Sequence, residues 1–140
     1  MARKNMRKIR GTSASDQLTG NKKRNLMWGY EGDDYITSGE GKDKVWGGAG
    51  DDTIVISPGK GYVKLMDMQL GDVIDFAAVV DPEDCPVIVI ENKGNKGNSA
   101  WISNNKNSDV YAVVKNYEAN YLEINCDTME ISSCYLFSCD

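Results

Sequence analysis

The stretch Gly29-YEGDDYITSGEGKDKVWGGAGDDTI-Val55 decides the fold. It divides into three units of nine residues, which begin at Gly29, Ser38 and Gly47. Two earlier units, at Gly11 and Gly20, keep the same spacing, and a degraded sixth unit follows at Ile56. A fixed short period of this kind is typical of a solenoid, in which each repeat stacks on its neighbours.

Each unit joins a glycine-rich half to a half with an alternating x-apolar-x pattern, in which the central residue is apolar. The glycine-rich half predicts a tight turn, and the alternating half predicts a short strand with one side chain inside. Two units make one coil, so strands eighteen residues apart stack in parallel at about 4.8 Å. The apolar residues at position eight predict two inner ladders, Leu18, Ile36 and Ile54 in one and Met27, Val45 and Val63 in the other. The aspartates at position six (Asp16, Asp34, Asp43 and Asp52, with Asn25 in the second unit) need a different explanation, because turns do not require them.

The units at Gly29 and Gly47 resemble the RTX, or hemolysin-type, calcium-binding repeat G-G-x-G-x-D-x-U-x. The resemblance extends over about residues 11–76, including a segment with Asp67 and Asp72 that looks like the cap after such repeats. It implies an all-β chain: a parallel β-roll (a right-handed β-solenoid) of about three coils, followed by a small β-rich C-terminal cap. We expect a basic N-terminal arm at 1–10, the roll at 11–64 and a β-rich capping region at 65–140. Short apolar runs predict strands in the capping region near 87–90, 100–103, 110–114, 121–124 and 135–137.

The resemblance also implies Ca²⁺ between the turns of successive coils. Carboxylates at position six and backbone carbonyls of the turns supply the hard oxygens that Ca²⁺ prefers. We expect pairs Asp34–Asp52 and Asp16–Asp34 on one edge, a weaker pair Asn25–Asp43 on the other, and two or three ions in all. On the edge of Asn25 and Asp43, the residue expected to follow Asp43 in the next coil is Gly61, which has no side chain. The full predicted ligand set is Asp16, Asn25, Asp34, Asp43, Asp52, Gly29, Glu31, Gly32, Gly47, Ala49 and Gly50.

The charges are unevenly distributed. Residues 1–28 contain eight Lys or Arg side chains and one acid, Asp16, in a chain whose net charge is −5. The basic arm is either a solvated terminus or a docking surface for an anionic partner. Trp28 and Trp46, eighteen residues apart, predict an aromatic ladder on the outer face, which we expect the C-terminal half to cover. The predicted partner-binding residues are Trp28, Trp46, Arg3, Lys4, Arg7 and Lys8.

The composition excludes several classes of function. The chain has no histidine, which removes His-based triads, Cys–His dyads and HExxH zinc sites. It has no EF-hand spacing, phosphate loop or apolar run long enough to span a membrane. Its four cysteines, Cys85, Cys126, Cys134 and Cys139, leave both free thiols and disulfides open and form no CxxC pair.

We therefore expect a non-enzymatic calcium-binding module. In the family that it resembles, such a module is exported without a cleaved signal peptide, so we expect an extracellular location. The alternative is a structural or adhesive part of a larger assembly, such as a phage particle or a cell-surface layer, docked through the basic arm and the exposed aromatics. Calcium is the expected partner, a protein partner or a homo-oligomer is compatible with either reading, and nucleic acid is not favoured.

Overall fold

Two stacks of short parallel strands form the first half of the chain. The computed structural model describes residues 6–76, 87–92, 98–103, 110–115, 121–125, 128 and 130–134. Within these residues lie thirteen strands: β1 (Arg7–Arg10), β2 (Gln17–Thr19), β3 (Asn25–Glu31), β4 (Tyr35–Thr37), β5 (Gly41–Ala49), β6 (Thr53–Val55), β7 (Gly61–Leu65), β8 (Val73–Asp75), β9 (Val87–Asn92), β10 (Asn98–Ser103), β11 (Val110–Lys115), β12 (Tyr121–Asn125) and β13 (Glu130–Cys134).

The strands alternate between two sheets as the chain advances. One sheet has the order β1-β3-β5-β7-β11-β10-β9, and the other has the order β12-β13-β8-β6-β4-β2. The strands β1, β3, β5 and β7 of one sheet pair in parallel, as do β2, β4, β6 and β8 of the other, which is the arrangement of a β-solenoid. The predicted all-β parallel roll is confirmed, with about four coils where about three were expected, because strands β1 and β8 lengthen the two stacks.

The predicted inner ladder of the second sheet is confirmed. Leu18, Ile36 and Ile54 are in register and buried, and Ile74 continues the ladder into β8. Their side chains alternate with more exposed neighbours along each strand, as the period of two requires. This ladder forms one side of a core that is only two side chains thick.

The ladder on the facing sheet differs from the prediction at its last member. Met27 and Val45 are in register, Ile9 precedes them, and Leu65 follows, whereas Val63 pairs with Asp43. The reason is an insertion of two residues between β6 and β7, which changes the coil spacing from eighteen to twenty. The sequence period does not predict this lengthening, because Val63 occupies the expected position by count alone.

The first strand begins earlier than the predicted roll. Arg7–Arg10, which we assigned to the basic arm, pairs in parallel with Asn25–Trp28 and places Ile9 against the core. The alternation of Ile9 with basic neighbours is a short strand that precedes the first recognisable glycine-rich turn. Arg3 and Lys4 lie outside the described residues.

The described C-terminal strands extend both sheets. β11 pairs in parallel with β7 and is followed by antiparallel β10 and β9, while β13 pairs antiparallel with β8. The strands expected near 87–90, 100–103, 110–114 and 121–124 are confirmed, and β13 was not predicted. We expected the C-terminal half to cover the Trp28–Trp46 face, but these strands continue the sheets at their edges.

Some predictions fall on residues that are not described. The strand expected at 135–137, Cys85, Cys126 and Cys139 lie outside the described residues, and the side chain of Cys134 is not described. No helix within the described ranges is long and apolar enough to cross a membrane.

Candidate metal centre

A row of four aspartates runs along one edge of the solenoid, called here the first edge. The first edge consists of the turns 11–16, 29–34, 47–52 and 66–72, which connect the first sheet to the second. The backbone N–H of Asp16 donates to Oδ1 of Asp34 at 2.8 Å, that of Asp34 to Asp52 at 2.9 Å, and that of Asp52 to Asp72 at 3.0 Å. The carboxylates of Asp34, Asp52 and Asp72 are therefore each held by the coil before them.

The second carboxylate oxygen distinguishes the middle of this row from its ends. Oδ2 of Asp34 and Oδ2 of Asp52 are buried without a hydrogen-bond donor. Oδ2 of Asp16 accepts from the N–H and the hydroxyl of Thr12 at 2.6 and 2.9 Å, and Oδ2 of Asp72 accepts from the N–H of Gln69 at 2.7 Å. An unpartnered buried carboxylate oxygen is costly, so the two central oxygens are the ones that a cation would satisfy.

The turns 11–16, 29–34 and 47–52 each begin with a glycine, whose missing side chain leaves room at the carboxylate oxygens. A Cβ atom on Gly29 would collide with Oδ2 of Asp34 and with the carbonyl oxygen of Gly47. A Cβ atom on Gly47 would likewise collide with Oδ2 of Asp52. Carboxylate and carbonyl oxygens thus converge on a space that only glycine leaves open, and this donor chemistry fits Ca²⁺.

Burial also disfavours the ionised form of these carboxyl groups. It raises the pKa of Asp52 to about 7, with further increases from the nearby carboxylates of Asp72 and Asp34. Burial raises the pKa of Asp34 as well, and that of Asp72 to about 6. A divalent cation between the coils would remove both the desolvation cost and the mutual repulsion.

The opposite edge, called here the second edge, carries the Asn25–Asp43 pair. The N–H of Asn25 donates to Oδ1 of Asp43 at 2.7 Å, and its side-chain amide donates to the carbonyl of Lys23 at 2.5 Å. The amide thus supplies donors to oxygens that an ion would otherwise contact. Burial raises the pKa of Asp43 to about 6, and its Oδ2 has no hydrogen-bond partner. The expectation that Asp43 next meets Gly61 is wrong: Gly61 pairs with Gly41 because of the two-residue insertion.

Asp72 and Asp67 are functional candidates that sequence reasoning did not place in the ligand set. Asp72 continues the aspartate row, while Asp67 accepts from the N–H groups of Gly47 and Gly48 at 2.8 and 3.1 Å. Burial raises the pKa of Asp67. The inserted residues put Asp72 twenty positions after Asp52, so a search at eighteen misses it. The spacing of Ile54 to Ile74 would have shown the new register.

The other predicted ligands lie in the turns. Gly29, Gly32, Gly47 and Gly50 line the first edge, and Gly32 and Gly50 have φ values of 97° and 115° that favour glycine. Glu31 and Ala49 are exposed and pair across neighbouring coils. Asp33 and Asp51, which precede the position-six aspartates Asp34 and Asp52, are exposed. Within the described ranges, no three acidic or thiol side chains lie close enough together to hold a metal ion by themselves.

The predicted aromatic ladder is present on the outer face of the first sheet. The rings of Trp28 and Trp46 stack with centroids 5.0 Å apart and an interplanar angle of 8°. The guanidinium of Arg10 lies 5.3 Å from the ring centroid of Trp28. Arg7 and Lys8, two further predicted partner-binding residues, are exposed on β1.

Comparison with known proteins agrees with this geometry. The family model described as the RTX calcium-binding nonapeptide repeat (4 copies) matches residues 10–45 and residues 28–55. No curated protein matches the chain significantly. A solved structure, the AlgE6R3 subunit of the Azotobacter vinelandii mannuronan C5-epimerase, is similar with a TM-score of 0.59 and 20% sequence identity. The similarity covers 81% of this chain and 73% of that chain, and at this identity it shows the fold alone.

Proposed function

Because residues 10–55 carry RTX calcium-binding nonapeptide repeats, we propose that this chain is a β-roll module stabilised by Ca²⁺ bound between its coils. The observation that carries the proposal is the pair of buried, unpartnered oxygens, Oδ2 of Asp34 and Oδ2 of Asp52. Each lies beside a glycine turn that leaves space for an ion.

The ion would act as part of the fold. The core is a double row of single side chains, so apolar burial stabilises each coil only modestly. An ion bound to the folded state alone adds about 2.7 kcal/mol per site at one hundred times its dissociation constant. Affinities of extracellular calcium modules are on the order of 10⁻⁴ M, which we also expect here.

The sites are ranked by what already satisfies their oxygens. We place the strongest ion between the coils of Asp34 and Asp52, where both Oδ2 atoms are unpartnered. Sites that involve Asp16 or Asp72 are weaker, because Thr12 and Gln69 occupy one oxygen of each. The Asn25–Asp43 pair also has two buried unpartnered oxygens, Oδ1 of Asn25 and Oδ2 of Asp43, but it ranks below the Asp34–Asp52 site because a neutral amide replaces one carboxylate. Two or three ions are expected in total.

Calorimetric titration with Ca²⁺ tests this ranking. Asp34→Asn and Asp52→Asn should each weaken the tightest site roughly tenfold or more, because affinity depends on the number of charged ligands. Asp16→Asn should have a smaller effect. Asp51→Asn is the matched control, since it removes the same charge from the exposed residue next to Asp52. Equal losses at Asp51, Asp52 and Asp16 would reject the assignment.

We further propose that the module is non-enzymatic and exported. The absence of histidine from the sequence supports the first part. A fold that needs Ca²⁺ at about 10⁻⁴ M suits a calcium-rich exterior, which supports the second. Export without a cleaved signal peptide predicts that the chain with an intact N-terminus appears in the culture medium. Retention inside the producing cell would contradict it.

A second candidate function is attachment to a larger structure such as a virion or a cell surface. The stacked Trp28 and Trp46, with Arg10 against them, favour it, because an ordered aromatic and cationic face is a typical contact surface. The native mass of the calcium-loaded protein separates a free monomer from a defined oligomer.

A further inference from the structure

The outer face of the first sheet collects the basic side chains of an otherwise acidic chain. Its outward positions on β1, β3, β5 and β7 alternate with the buried ladder, and none of these positions holds a carboxylate. The residues that define this cationic face are Lys8, Arg10, Trp28, Lys42, Lys44, Trp46, Tyr62 and Lys64. Five of these eight residues are positively charged, and the remaining outward positions, Leu26, Tyr30 and Gly48, are uncharged, although the chain as a whole has a net charge of −5.

The charges of the cationic face are available to a partner. Among the described residues the ion pair found joins Lys22 to Glu40, which lie in turns of the second edge. Lys8, Arg10 and Lys42 are exposed, while Lys44 and Lys64 are partly exposed. The described acids nearest in sequence to the two Trp residues do not lie on this face: Asp43 in β5 is buried, and Glu31 and Asp33 are exposed on the first edge. An anionic partner can thus approach the face without meeting them first.

The aromatic rings on this face present edges more than open faces. Trp28 and Trp46 cover each other, and Arg10 lies over Trp28. The ammonium groups of Lys42 and Lys64 lie 5.6 and 5.9 Å from the ring centroid of Tyr62. Bases of single-stranded nucleic acid need free aromatic faces to stack on, and these rings offer few.

The cations also form a two-dimensional array. Lys8, Lys44 and Lys64 belong to one row across the strands, while Arg10 and Lys42 stand two residues away on either side of it. The array extends over about 14 Å across the strands and about 13 Å along them. A linear polymer lying along one row contacts three of these charges, whereas a flat anionic surface contacts all five.

We propose that the cationic face docks the protein on the surface of an anionic phospholipid bilayer. Tryptophan and tyrosine edges beside Lys and Arg suit the headgroup layer, where an apolar body and a polar or charged tip are both accommodated. The inference rests on the second candidate function, surface attachment, and names its partner. The strongest proposed calcium site lies on the first edge, away from this face, and the weaker Asn25–Asp43 pair lies on the second edge, where Lys42 and Lys44 flank Asp43 in sequence.

The test is sedimentation of the calcium-loaded protein with large unilamellar vesicles at fixed free Ca²⁺ and low salt. Vesicles of phosphatidylcholine with about 30% phosphatidylglycerol should bind the protein, while vesicles of pure phosphatidylcholine should not. Each basic residue near such a surface contributes about fivefold in affinity. The triple variant Lys42→Gln, Lys44→Gln, Lys64→Gln should therefore bind on the order of a hundredfold more weakly.

The matched control is Lys22→Gln, Lys23→Gln, Lys60→Gln, which removes the same charge from turns of the second edge. It should bind the vesicles as the unchanged protein does. A second test on another strand is the double variant Lys8→Gln, Arg10→Gln. The circular dichroism of each variant reports on its fold, and its calcium isotherm reports on the calcium proposal. Equal losses in the two triple variants would overturn the inference, as would tighter binding to single-stranded DNA or to a polyuronate at equal anionic charge.

Discussion

The Asp52 carboxyl group shows, at the scale of one residue, why a bound cation would stabilise this fold. It is fully buried, its Oδ1 is held by the N–H of Asp34, and its Oδ2 has no donor. Asp51, its neighbour in sequence, is exposed and needs no ion. The nonapeptide pattern predicts this difference, because position six faces inward between coils and position five faces solvent. The pattern does not predict that Thr12 satisfies Asp16 or that Asn25 places an amide at the second edge, since both depend on local turn geometry.

The raised pKa values predict opposite effects of pH with and without metal. In the metal-free fold the pKa of Asp52 is about 7 and that of Asp72 about 6, against 3.8 for an unperturbed aspartate. The folded state therefore binds these protons more tightly than the unfolded chain. The stability that they contribute is fully present below about pH 4 and is lost as the pH rises through 6 to 7.

We accordingly expect the protein from which a chelator has removed Ca²⁺ to melt at a higher temperature at pH 5 than at pH 7.5. Calcium affinity should change in the other direction, falling as the pH drops through the same window, because the ion needs ionised ligands. Scanning calorimetry in chelator and calcium titration at the two pH values measure these effects. A metal-free melting temperature that rises between pH 5 and pH 7.5 would be inconsistent with the buried-carboxylate account.

At the scale of one strand, stability comes from a single inward side chain. In β6 that residue is Ile54, which is in register with Ile36 and Ile74. The sequence predicts this ladder well, because the apolar position recurs every eighteen residues. It does not predict the end of the facing ladder, where Leu65 replaces Val63, because the two-residue insertion before β7 leaves an apolar residue at both positions.

Ile54→Ala should therefore lower the free energy of unfolding by about 3 kcal/mol, the typical cost of removing a buried aliphatic side chain. Val55→Ala, in the next position and facing outward, should cost less than about 1 kcal/mol. Urea unfolding in saturating Ca²⁺ compares the two variants. Similar losses at both positions would mean that the core is not the two-residue layer described here.

At the scale of the whole molecule, three regions have different chemical character. The interior ladders supply a thin core, the first edge gathers the aspartates, and the outer face of the first sheet gathers the cations. The sequence alone indicates the coil and its acidic edge through the repeat. It does not indicate how the C-terminal strands β9–β13 join the two sheets, since pairing partners far apart in sequence are not specified by a local period.

Thermal unfolding with and without a chelator tests the central claim most directly. In about 10 mM Ca²⁺, one hundred times the expected dissociation constant, the protein should melt cooperatively, and excess EGTA should lower the melting temperature by roughly 15 °C, given two sites of about 2.7 kcal/mol each and about 3 °C per kcal/mol. Mg²⁺ at the same concentration should not restore stability, because it requires stricter octahedral geometry and keeps its waters. An unchanged melting temperature and unchanged β-type circular dichroism in EGTA would contradict the account.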